Sequence, residues 1–172
     1  MKIPVGGATS YRGRNYRPNW LALAGFVAVA LAVGLLGGRL ASSSGPWYAS
    51  LVKPAWAPAS PDRWLGPIWT VLCIMMGTAA WLIWRERYHR VRNVALLAYA
   101  TQLSLNAAWA AVFLGAKSIG AGLFAIACLW LSLVWALREF AAVRTAAAWL
   151  LVPYLGCVSI AAALNLSIWR HN

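Results

Sequence analysis

Acid is nearly missing from this chain. Its 172 residues hold three Asp and Glu against fifteen Lys and Arg, and 10% are charged. A soluble domain carries about 25% charged residues. With 62% hydrophobic residues and a mean hydropathy of +0.66, a water-soluble globule is excluded. The length allows one domain. Metal and disulfide chemistry are short of residues too. The three cysteines, Cys73, Cys128 and Cys157, fall in three separate apolar runs with no CxxC spacing. That is neither a disulfide framework nor a zinc signature, so no metal site is expected. The two histidines, His89 and His171, flank apolar runs without a partner at triad or ligand spacing, so no catalytic residue is assigned. Asp62, Glu86 and Glu139 lie at the edges of apolar runs. The absence of an ionisable residue at mid-membrane depth argues against a pump or ion-coupled carrier. The basic residues cluster at the ends of the runs, as membrane topology requires, and form no separate basic domain, which excludes nucleic acid as a partner.

What the chain has in quantity is apolar length. About 20 residues suffice to cross a bilayer as a helix. Five runs meet that length, at about 20–40, 64–84, 94–114, 119–137 and 145–169, and no run reads as a strand. The expected fold is an all-α integral membrane bundle of five transmembrane helices, formed by residues 19–172. Residues 1–18 read as a mobile basic tail, and residues 41–63 as a structured aromatic loop between the first two helices. Gly34, Gly37 and Gly38 let another helix approach the first span closely, within the molecule or in a dimer. Pro153 should kink the fifth span. The four residues from Gly115 to Ser118 make spans three and four antiparallel neighbours. Ten of the fifteen basic residues fall in the tail, the 85–92 connector and the 138–144 connector, and five on the other side. That bias predicts a cytoplasmic N-terminus, with the aromatic loop and the C-terminus on the opposite face.

Residues 47–69 read WYASLVKPAWAPASPDRWLGPIW. A connector this rich in indole rings and proline needs something to cover, and the expectation is a lid over one mouth of the bundle, with Trp56 as its central ring. Twelve tryptophans exceed what interfacial belts need. Trp20, Trp47, Trp64, Trp84, Trp149 and Trp169 suit such belts. Trp69, Trp81, Trp109, Trp130 and Trp135 lie deeper, where indole either packs between helices or lines a cavity. In span three, Gln102, Asn106 and Trp109 share one helical face by their i, i+4, i+7 spacing. They serve either as inter-helix hydrogen-bonding groups or as the few polar groups of an apolar pocket. In span five, Tyr154, Ala161 and Asn165 share a face, with Cys157 beside it. Ala161 leaves room for a flat ligand or for a neighbouring helix.

The motifs WYASLVKPAWAP, GPIWTVLCIMMGTAAWLIW, QLSLNAAW followed by Phe113 and Gly115, VPYL and ALNLSIWRHN together resemble the translocator protein family. That family is also called tryptophan-rich sensory protein or peripheral-type benzodiazepine receptor (TspO/MBR), and the likeness is to its bacterial-type members. It covers about Trp47 to Asn172. It implies a five-helix bundle, often dimeric, whose first loop caps a pocket for tetrapyrroles such as protoporphyrin IX and haem and for synthetic benzodiazepine-type ligands. No tightly bound cofactor is implied; porphyrin or haem is the ligand. By motif, Trp56 matches the lid tryptophan, Asn106 the pocket amide, Trp109 the ring of span three and Ala161 the pocket alanine. The expected ligand-binding set is Trp56, Trp69, Gln102, Asn106, Trp109, Trp130, Tyr154, Cys157 and Ala161, with Lys53 and Arg63 as charges at the mouth and Arg39 able to join them.

Four positions depart from the family pattern. Cys157 stands in place of a second pocket tryptophan, Cys73 of a tyrosine, Ala111 of a proline and Leu166 of a tyrosine in the cholesterol-binding motif. The functional expectation is a membrane receptor or carrier for tetrapyrroles with a regulatory or stress-sensing role. One alternative is an enzyme degrading protoporphyrin in light or oxidant, which loses an indole at Cys157. Another is a protein that binds sterol, lipid or a partner.

Overall fold

The computed structural model describes residues 19–57, 62–86 and 89–172, and the side chains of 62–65 and 89 are not among them. The expected basic tail, the end of the expected lid at Pro58–Pro61, and Arg87 and Tyr88 of the charged connector lie outside the described residues. The described residues form five α-helices and no strand: α1 Trp20–Ser50, α2 Asp62–Trp84, α3 His89–Trp109, α4 Ile119–Val143 and α5 Thr145–His171. A π-helical turn, Ala110–Gly115, extends α3. All five helices are long and apolar enough to cross a membrane. Their outward faces carry Leu21, Phe124, Leu131 and Ile160, each more than 60% exposed, the kind of surface a bilayer covers.

The first helix corrects the expected boundary. It does not stop near Leu40 but runs ten residues further, so residues 41–50 belong to a helix and not to a loop. Gly45 and Pro46 would ordinarily break it. It runs through them here, and the serine hydroxyls just before them bond back to the helix: Ser42 donates to the Gly38 carbonyl, Ser43 to Leu40 and Ser44 to Ala41. At the far end the Lys53 ammonium donates to the carbonyls of Tyr48, Ala49 and Leu51, around the last turn. At the near end Asn19 caps the helix, its Oδ1 accepting from the Ala22 N–H at 3.2 Å. At about 1.5 Å per residue, α1 is about 46 Å long and outreaches a hydrocarbon core of about 30 Å. The loop proper therefore starts at Leu51.

Around the bundle the neighbours run α1, α2, α5, α4, α3, and α3 with its π turn closes the ring against α1. At one end of the bundle small residues draw the helices together. Ala79, Ala80, Ala95, Ala98, Ala136 and Ala147 are buried among Met76, Ile83, Leu133, Phe140 and Leu151. A Cβ at Gly77 would come within 2.6 Å of the Val27 Cα, so α1 and α2 touch there backbone to backbone. This end is closed by Trp20 stacked on Trp81, by the Arg85 guanidinium over the Trp81 ring, and by an ion pair of 3.3 Å between Arg144 and Glu86. α5 continues through Pro153 as one helix.

Candidate functional site

The opposite half of the bundle is hollow. Every helix contributes to the wall of a cavity of about 510 Å³. Its backdrop is a row of aromatic rings. Trp109 stacks on Phe113 at 5.7 Å with the planes 12° apart, and Trp47 of the extended α1 meets Phe113 edge-on at 5.5 Å. The π turn carries Phe113 against α4 at Gly122, where a Cβ would come within 2.6 Å of the ring. Only glycine leaves that ring its place. Local π geometry of this kind recurs at functional sites, because it re-aims side chains that a regular helix would send elsewhere.

Polar groups are few and held in place. The Asn106 amide donates from Nδ2 to the Tyr154 hydroxyl, joining α3 to α5. Tyr154 is fully buried, and its ring meets Trp69 of α2 edge-on at 5.9 Å. The Trp109 Nε1–H points to Asn165 Oδ1 at 3.5 Å, and Asn165 in turn donates to the Ala161 carbonyl at 3.0 Å. Three of the rings and amides on the wall are thus oriented by a second layer of buried groups, the arrangement that keeps a pocket open and shaped without a ligand.

Trp69, Asn106, Trp109, Cys157 and Ala161 lie in the cavity wall. Tyr154 does not; it stands behind Asn106 and holds it. Gln102 is fully buried one turn from Asn106 but faces the packed half, with Nε2 at 4.0 Å from the Met76 sulfur, because the cavity ends between these two turns. Trp130 is also outside the wall. Its Nε1–H donates to Ser159 Oγ at 2.9 Å across the rim between α4 and α5. Trp56 is 55% exposed and is not part of the wall. The segment that carries it is tied to the end of the chain instead: Val52 accepts from Asn172 Nδ2 at 3.1 Å and donates to Asn172 Oδ1 at 3.0 Å. Lys53 is not among the wall residues; its ammonium serves the end of α1 and sits 4.8 Å from the Tyr48 ring centre. The Arg63 side chain lies outside the described residues.

Sequence reasoning named Arg39 as a possible mouth charge and Gly34 and Gly38 as a helix-contact face, but it did not make α1 a wall of the cavity. Leu31, Gly34, Gly38, Arg39 and Ser42 of α1 face the cavity, and Arg39 is the one cation in the wall among the described residues. The signal was present in the i, i+4 spacing of Gly34, Gly38 and Ser42, a stripe of small residues at which a helix can approach a guest as well as a partner.

Five membrane-length helices around one internal chamber define an integral, multi-pass membrane protein with a small-molecule-sized cavity. The chain belongs to the TspO/MBR family, which residues 26–170 match. It is 42% identical over 154 residues to a tryptophan-rich protein TspO from Chlorobaculum tepidum, covering 88% of this chain and 96% of that one. A translocator protein from Sus scrofa is 37% identical over 167 residues, covering 90% and 92%. A tryptophan-rich sensory protein from Cereibacter sphaeroides is 33% identical over 155 residues, covering 90% and 93%.

Proposed function

We propose that the protein is a membrane receptor or carrier that holds tetrapyrroles and similar planar hydrophobic molecules in this cavity, with a regulatory or stress-sensing role. One observation carries the reading: Trp69, Trp109 and Asn106, from two helices, converge with an alanine gap at Ala161 on a single apolar cavity of about 510 Å³. That volume lies within the range of about 300–1,000 Å³ that small-molecule sites occupy. Indole faces suit a flat π-system, and the small residues of α1 leave a smooth opposite wall. Arg39 supplies a cation for an anionic edge such as a porphyrin propionate. The end carrying Glu86, Arg90, Arg92, Arg138 and Arg144 would face the cytoplasm, and a reporter fused after Asn172 should then read the other side. Resemblance also implies a homodimer, which crosslinking in native membranes would reveal.

The test is quenching of tryptophan fluorescence by protoporphyrin IX in detergent. Asn106→Ala removes a buried donor worth about 1–3 kcal/mol, so affinity should fall about 5- to 150-fold. Trp109→Ala should cost at least as much. Trp56→Ala should change little. Equal affinity in wild type, Asn106→Ala and Trp109→Ala would move the site out of this cavity.

A further inference from the structure

Two thiols line the cavity, and the tetrapyrrole reading makes no use of either. Cys73 of α2 is walled in: it is 1% exposed, and its sulfur lies so close to α1 that a Cβ at Gly34 would come within 2.7 Å of it. Cys157 of α5 differs. It is part-exposed, free, and one helical turn from Ala161, the residue that leaves room for a guest. No histidine and no carboxylate line the cavity among the described residues. Sulfur is therefore the only strong metal donor the wall offers.

We propose that the cavity takes an iron porphyrin in preference to a metal-free one, and that Cys157 is the axial ligand of the iron. This rests on the tetrapyrrole reading and narrows it. Thiolate is an established ligand of haem iron. Charge favours it in this wall. Ring and ferric iron together carry a single positive charge, which is costly to bury alone in an apolar cavity. A thiolate cancels that charge, whereas a neutral donor would leave it. The carboxylate tails are then left for Arg39 at the α1 wall. When the ligand binds, the Cys157 thiol gives up its proton to water, and its sulfur replaces the water that free ferric haem carries on iron, which leaves to solvent. The iron stays ferric and no electron moves. Asn106 and Trp109 of α3 are left to hold the ring.

The experiment titrates the purified full-length protein in detergent with ferric protoporphyrin IX and, separately, with protoporphyrin IX. Affinity is read from tryptophan quenching, and the ligand from electron paramagnetic resonance of the ferric complex. Wild type and Cys73→Ser should show the signal of thiolate-ligated ferric haem, and Cys157→Ser should not. Loss of an outer-sphere partner alone weakens metal sites about 10- to 100-fold, so Cys157→Ser should weaken haem binding by at least about tenfold. Haem affinity should fall more than affinity for the metal-free porphyrin, and an unchanged melting temperature in detergent shows that the variant is folded. A thiolate signal that survives in Cys157→Ser overturns the assignment. So does its absence from a wild-type protein that is quenched by both porphyrins, and in that case the tetrapyrrole reading stands. Quenching by neither porphyrin removes both readings.

Discussion

The two halves of the bundle are built from the same five helices and differ in what stands between them. Where α1 and α2 cross at Gly77 and Val27, and where alanines line α2, α3, α4 and α5, backbones approach closely. In the other half Trp69, Trp109 and Phe113 stand between the helices, and their rings are pinned by edge-on contacts and hydrogen bonds to Tyr154 and Asn165. Membrane helices gain little from hydrophobic sorting, since lipid is as apolar as leucine; close packing and a few hydrogen bonds hold them. Small residues in one half therefore supply the cohesion that lets the other half stay hollow.

The comparison can be broken from the packed side first. Gly77→Val places branched carbon against the Val27 backbone, which cannot yield. Overpacking of this kind costs about 1–3 kcal/mol or more, and it should give the largest drop in melting temperature in detergent, with ligand binding lost as a consequence. The hollow side should respond in the opposite way. Ala161→Phe fills space that is empty, so it should abolish porphyrin quenching while the melting temperature holds or rises; a large fall in stability would mean that the cavity is not open as described. Between these lies Tyr154→Phe, which removes the hydroxyl that Asn106 donates to. It should cost about 1–2 kcal/mol of stability and weaken porphyrin binding less than Asn106→Ala does, because Asn106 remains in the wall. The smallest effect is expected at the closed end. The Arg144–Glu86 pair is more than a third exposed on both sides, so Glu86→Gln should change stability by less than about 1 kcal/mol, as a melting curve at low and high salt would check.

Composition made the helices and their number legible, because a bilayer demands about 20 apolar residues per crossing and nothing else in this chain meets that demand. Spacing made part of the cavity legible: Cys157 stands beside the face that carries Ala161, and Asn106 and Trp109 share a helical face. The same rule misplaced Gln102, which shares that face but lies one turn too deep, beside Met76. Periodicity gives the direction of a side chain around its helix and not the depth at which a void begins. Trp130 points to Ser159 for a related reason, since a deep indole can satisfy its N–H at a rim between two helices as well as in a pocket. Lys53 and Trp56 were read from a segment whose role depends on where α1 ends, and Gly45 and Pro46 concealed that it continues.

By itself the sequence determined a membrane protein of five helices, the family to which it belongs and the residue types available to a ligand, because these follow from length, hydropathy and motif. Only the tertiary structure decided that α1 forms a wall of the cavity, that Arg39 and not Lys53 lies in that wall, and that one of two thiols stands open. Those outcomes depend on how far each helix runs and how close its neighbours come, which are set by contacts between residues distant in the chain.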